Sequence, residues 1–193
     1  MSINLYKNQI ICGVDESGRG PIAGPVFAAA VILNPKKTIY GLKDSKKLTK
    51  NDLENLAMEI KEKSIAWSIA ECSEKTIDKI NILQASLLAM SKAISKLIIK
   101  PSIVLVDGLH CPKIKITSKN IIKGDQKIPE ISAASILAKT SRDQALLMLH
   151  EKFPQYGFNK HKGYPTKLHI ERLSIFGVTS IHRKTFKPVS RML

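Results

Sequence analysis

Apolar and polar positions follow two periods along this chain, and the periods divide it into strands and helices. Gln9 to Val14 is a short, mostly apolar run that stops at two carboxylates, Asp15 and Glu16, before a turn rich in glycine and proline, Gly18-Arg19-Gly20-Pro21. Val26 to Leu33 (VFAAAVIL) is unbroken, as a strand buried on both faces would be, and ends at Asn34-Pro35. Thr49 with Asp52 three residues on predicts a helix start, and Leu53, Leu56, Ala57 and Ile60 recur at helical spacing to about Lys63. Ser64 to Cys72 alternates as a third strand. Ser73 caps helical sequence from Glu74 to about Ile80, and Ile82 to Ile99 follows with Leu83, Leu87, Met90, Ile94 and Leu97 in one stripe. Ser102 to Val106 (SIVLV) is a fourth strand that also ends on an aspartate, Asp107.

The helix between the third and fourth strands is long enough for a crossover, so the fourth strand is expected to lie parallel to the first. Asp15 and Asp107 would then stand side by side at the carboxyl edge of the sheet, where open α/β sheets bind ligands. Lys113 to Thr117 and Asn120 to Lys123 read as a short edge strand or hairpin, and Gly124-Asp125 places another acid just ahead of a helix. Pro129 suits that helix's first turn, and Ile131 to about His150 carries Ile136, Leu137, Leu146 and Leu149 at helical spacing. Ser132, Ala133, Ala134 and Ser135 are small enough for the helix to pack closely on whatever lies beneath it.

From Phe153 the pattern changes. Four of the ten aromatics fall between residues 153 and 164, among Lys160, His161 and Lys162. Phe153 and Phe158 are expected to pack on the core, and Tyr164 to be exposed. A helix from Thr166 to about Phe176 and a basic tail, His182 to Lys187, follow.

Charge narrows the partner. The formal net charge is +15, from 31 Lys and Arg against 16 Asp and Glu, a self-repulsion that suits a polyanion such as nucleic acid. The basic loop Lys43-Asp44-Ser45-Lys46-Lys47 is a candidate for phosphate contact. The longest apolar stretch, Ile22 to Leu33, is too short for a bilayer and contains Gly24 and Pro25, so the expectation is a soluble, cytosolic protein with no membrane role. The three cysteines are far apart and suggest neither a zinc site nor a disulfide framework. The five histidines show no ligand spacing; His161 and His182 lie in basic stretches suited to a phosphate or structural contact.

Asp15, Glu16, Asp107 and Asp125 are therefore expected at one sheet edge of a basic chain. Carboxylates that close repel unless cations sit among them, and oxygen-only donors favour Mg²⁺ or Mn²⁺. Two such ions would clamp the attacking and leaving oxygens of a phosphodiester, which is nuclease chemistry.

The chain resembles the ribonuclease HII (type 2 ribonuclease H) family in DESGRGPIAGPV at 15–26, DSKKL at 44–48, NIL at 81–83, VDG at 106–108, KGD at 123–125, AASILAKTSRD at 133–143 and YGFNKHKGYPTKLH at 156–169. The resemblance implies an α/β, ribonuclease H-like fold: a five-stranded mixed sheet flanked by helices, with a C-terminal helical extension. It implies one domain over 1–193, about 1–150 forming the catalytic core and about 151–193 contacting substrate. The implied activity is endonucleolytic cleavage of RNA in RNA/DNA hybrids and at single ribonucleotides in duplex DNA, leaving 5′-phosphate and 3′-hydroxyl ends. By the same resemblance the metal ligands are Asp15, Glu16, Asp107 and Asp125, holding two Mn²⁺ or Mg²⁺ ions. Gly18, Arg19 and Gly20 read the 2′-hydroxyl through backbone groups, Tyr164 stacks on the neighbouring sugar, and Lys46 and Arg142 contact phosphate or site, although Arg142 reads equally as a helix-surface cation. A monomer is the default, and contact with a replication clamp is left open. The competing readings are a non-catalytic basic nucleic-acid-binding module and a DNA-directed nuclease on the same fold.

Overall fold

The computed structural model describes residues 9–42 and 48–193. In chain order the elements are β1 (Ile11–Ser17), β2 (Val26–Ile32), α1 (Lys50–Lys63), β3 (Ala66–Cys72), α2 (Glu74–Ser95), β4 (Ile103–Asp107), β5 (Ser118–Ile121), α3 (Pro129–Lys152), the single turn α4 (Phe158–His161) and α5 (Lys167–Phe176). The strands form one mixed sheet ordered β3-β2-β1-β4-β5, antiparallel across β3-β2-β1 and parallel across β1-β4-β5. The mixed sheet with flanking helices expected from the resemblance is therefore present. So is the parallel crossover through α2.

Every residue of β2 is buried because the sheet is covered on both faces. Strand alternation divides its side chains: Val26, Ala28, Ala30 and Ile32 pack toward α2 with Ile77, Ala85 and Ala89, whereas Ala29 and Val31 pack toward α1 and α3 with Leu56, Ile60, Ala133 and Leu137. The small residues of α3 let it lie close on the sheet, and Gly13 permits the closest approach. A Cβ there would fall 2.1 Å from the carbonyl carbon of Glu130.

Three local expectations change. β1 does not stop at Val14 but runs through both acids to Ser17, because β2 continues to offer partners: Asp15 opposite Ala29, Glu16 opposite Ala28 and Ser17 opposite Phe27. Residues 113–117 form no strand; the edge is β5 alone, parallel to β4, so the hairpin alternative fails. The two helical segments expected on either side of residue 81 are present and meet at a kink. Asn81 takes φ 65°, and its side-chain oxygen accepts from the Gln84 amide, capping the second half where the first one ends. The basic tail is not all surface, since His182 and Arg183 are fully buried. Among the described residues no helix is long and apolar enough to cross a membrane.

Candidate active site

Register brings the first two acids level. Val14 pairs with Val106 as the last pair of the parallel ladder, so the next residues, Asp15 inside β1 and Asp107 at the end of β4, stand level where that pairing stops. Asp15 is buried at 6% exposure, and its Oδ1 accepts from the Glu16 amide at 2.7 Å. Burial first, then the charges of Glu16 and Asp107, push its pKa well above the usual carboxylate range, against a hydrogen bond from Ser135 of α3. Glu16 is raised as well, by burial and then by Asp107, while Arg19 pulls it down. The Arg19 guanidinium lies 3.3 Å from Glu16 Oε1. Asp107 Oδ1 accepts from the Gly124 amide at 2.6 Å and the Asp125 amide at 3.4 Å, and this ties the turn carrying Asp125 to the end of β4. Ser132 holds the same turn by donating to the Asp125 carbonyl. Asp15, Glu16 and Asp107 thus share one field, with Asp125 attached through its backbone. As the side chains stand, no three His, Cys, Asp or Glu among the described residues converge tightly enough to hold a metal ion. Glu16 is drawn to Arg19 and Asp107 to the Gly124 amide.

Beside the acids lies a second group. Gly18 takes φ +103°, and a Cβ on it would stand 2.7 Å from Cδ of Arg142, so only glycine fits both the turn and its neighbour. Arg142 is not a helix-surface cation. It is 3% exposed, donates to the Lys162 carbonyl and lies over the Tyr164 ring at 5.3 Å. A Cβ on Gly20 would be 3.3 Å from Cε1 of Tyr164. Tyr164 keeps nearly half of its surface open, whereas Phe158 is buried and Phe153 packs beside it. Gly18, Gly20, Arg142 and Tyr164 therefore form one cradle next to the acids, with Arg19 reaching from the same turn to Glu16. Lys46 lies outside the described residues.

The ribonuclease HII family model matches residues 12–189. The chain belongs to the ribonuclease HII family. It is 59% identical to ribonuclease HII of Janthinobacterium sp. (strain Marseille) over 190 residues, covering 98% of this chain and 90% of that one. Among solved structures it is similar to ribonuclease H2 from Pyrococcus horikoshii, with a TM-score of 0.80 and 27% identity over 94% of this chain and 96% of that one. It is also similar to a chain of the PCNA:ribonuclease HII complex from Archaeoglobus fulgidus, with a TM-score of 0.78 and 26% identity over 92% and 95% of the two chains. The activity that follows is that of an endonuclease acting on RNA in RNA/DNA hybrids, within a divalent-metal-dependent family.

In this ribonuclease HII chain the sequence reading missed two features of the cradle. Arg183 sends its guanidinium under the glycine turn, to the carbonyls of Gly18 (2.7 Å), Gly24 (2.9 Å), Arg19 (3.1 Å) and Pro25 (3.3 Å). Burial lowers its pKa to about 10, so it remains a cation at neutral pH. The other feature is a cluster of histidines that the sequence scatters. His161 stacks on His169 with centroids 4.2 Å apart, and His169 Nε2 lies 3.3 Å from His182 Nε2. No spacing rule reveals this, because His182 reaches the others only through the fold. The sole signal was the apolar setting of Tyr156 and Phe158, which a C-terminal cover would need to bury.

Proposed function

We propose that Asp15, Glu16, Asp107 and Asp125 hold the divalent metal of this hybrid endonuclease, and that the Gly18-Arg19-Gly20 turn with Tyr164 selects ribose beside it. On this reading the enzyme also incises duplex DNA at a single embedded ribonucleotide. The observation that carries it is the level placement of Asp15 and Asp107 where the parallel pairing of β1 and β4 stops, with Asp15 buried among other acids. A buried carboxylate beside two more is unfavourable without a counter-charge, and an all-oxygen set suits Mg²⁺ or Mn²⁺. When bound, two such ions supply an activated water and neutralise charge on the attacking and leaving oxygens, giving 5′-phosphate and 3′-hydroxyl ends.

The chain's own groups do the rest. Arg19 offsets part of the push on Glu16 toward its protonated form, Gly124 orients Asp107, and Ser132 fixes the turn that presents Asp125. The glycine turn offers backbone groups to a 2′-hydroxyl, the one feature that separates RNA from DNA at a nucleotide. Tyr164, braced by Arg142, offers a face for the adjacent sugar. Residues from about 1–150 would form the catalytic core and about 151–193 the substrate-contacting segment, with Lys46 among the phosphate contacts.

The test is a DNA duplex carrying one ribonucleotide, incubated with Mg²⁺ or Mn²⁺ and mapped for the cut. Wild type should cut once, at the ribose, and leave an all-DNA duplex intact. Asp107→Asn should lose about 100-fold or more, near 3 kcal/mol of transition-state stabilisation. Undiminished cleavage by Asp107→Asn would overturn the assignment. Binding insensitive to EDTA without product would favour a binding module, and cutting of all-DNA a DNA-directed nuclease.

A further inference from the structure

The segment Ile181-His182-Arg183 lies beneath both halves of the cradle. Its backbone pairs with the chain that leaves the glycine turn: Gly24 donates to the Ile181 carbonyl at 2.9 Å, Arg183 donates to the Ile22 carbonyl at 2.8 Å, and Ala23 bridges His182. On its other side Ile22 donates to the Gly163 carbonyl at 2.9 Å, next to Tyr164. Asp78 of α2 anchors the segment by accepting from the Lys184 and Thr185 amides, each at 3.0 Å.

Each of its two polar side chains serves one half. Arg183 gathers four carbonyls, two of them from Gly18 and Arg19. Turning those carbonyls inward fixes the peptide planes of the turn, and so fixes what its outward side presents. A guanidinium can do this because it has five donors in a rigid fork, whereas an ammonium has three on a flexible stem. His182 works through His169. The Tyr164 carbonyl lies 3.0 Å from His169 Nδ1 and accepts only if that nitrogen carries the proton. His169 Nε2 is then an acceptor and must take its bond from His182 Nε2–H. His182 Nδ1 in turn accepts from the Thr179 amide at 3.1 Å and the Thr179 hydroxyl at 2.9 Å. Thr179 thus sets the tautomer of His182, His182 sets that of His169, and His169 holds Tyr164. Both histidines are buried and neutral.

We propose that His182 and Arg183 are positioning residues for ribose selection: Arg183 sets the Gly18-Arg19-Gly20 backbone and His182, through His169, sets Tyr164. The proposal rests on the reading of that turn and Tyr164 as the ribose reader. The experiment measures kcat and KM for the full chain with Mn²⁺ on a DNA duplex carrying one ribonucleotide, for wild type, Tyr164→Ala, Arg183→Lys, His182→Leu and His182→Gln. Arg183→Lys should lose about tenfold in kcat with KM changed by less than about threefold, because most affinity comes from phosphate contacts that stay in place. His182→Leu should fall similarly, and His182→Gln, which keeps a donor toward His169, should recover most of the loss. A merely structural role would track the melting temperature and show no such rescue. If Arg183→Lys does not fold, the His182 pair decides. If Tyr164→Ala leaves kcat unchanged, the ribose-reader reading fails and the proposal with it. If Tyr164→Ala lowers kcat while folded Arg183→Lys and His182→Leu keep it, the positioning role alone is wrong.

Discussion

The acid edge and the cradle beside it are built in opposite ways. At the edge, Asp15, Glu16 and Asp107 carry like charge in partial burial, and the first two are pushed toward their protonated forms. In the cradle, cations and neutral imidazoles meet carbonyls, and each buried histidine has a defined partner. One region stays unfavourable until a counter-charge arrives, whereas the other is satisfied within the fold except at Arg142 Nε, which is buried without a partner. Catalytic charge and recognition geometry thus occupy neighbouring but separate structures.

The contrast extends to pH. A carboxylate whose folded pKa is raised holds its proton where the unfolded chain has released it, so its contribution to stability is lost as pH rises from the ordinary values of 3.8 for Asp15 and 4.5 for Glu16 toward the folded ones. The histidines act with the other sign. Burial lowers His169 and His182 from 6.5 to about 4, so the unfolded chain binds protons that the folded one refuses, and stability falls as pH drops from 6.5 toward 4.

The largest effect should come from breaking the edge. Asp15→Asn keeps an oxygen to accept from the Glu16 amide yet removes the buried charge. Cleavage of a ribonucleotide-containing duplex should fall by about 1,000-fold, near 4 kcal/mol, while the metal-free protein should gain about 1 kcal/mol, read as about 2–4 °C in Tm. Activity and stability should move in opposite directions, as they do when a site is strained for function.

Breaking the cradle should cost less. Tyr164→Ala removes a half-exposed ring and should lower kcat about tenfold, within the range for one stacking platform, with Tm nearly unchanged. Outside both regions, Asn81→Ala should leave cleavage untouched and cost about 1 kcal/mol in chemical denaturation, because alanine neither caps Gln84 nor tolerates φ 65°. Asn81→Gly should recover part of that loss.

The acid edge was legible in the sequence because carboxylates that follow an apolar run are local patterns, and the long helix between β3 and β4 suits a crossover that lays β4 parallel to β1. The limits of β1 were not, since its last three residues pair only with β2 and nothing local records that. The break at Asn81 appeared as an interruption in periodicity, and the fold turns it into a kink rather than a loop. Arg183 and the histidine cluster were illegible for a common reason. Each is a polar residue in a basic stretch that becomes interior only when the C-terminal segment folds over the glycine turn, a contact that for Arg183 spans more than 150 residues.

The central claim is that the edge is held apart by its own charge until a divalent cation joins it. The most direct measurement is the Tm of wild type and Asp15→Asn from pH 4 to 8, with and without Mn²⁺; taking the difference cancels the histidine contribution common to both. The account predicts that metal-free Asp15→Asn pulls ahead of wild type as pH rises, and that Mn²⁺ closes the gap by raising wild type alone. A difference that stays flat with pH, with Mn²⁺ shifting both proteins equally, would contradict it.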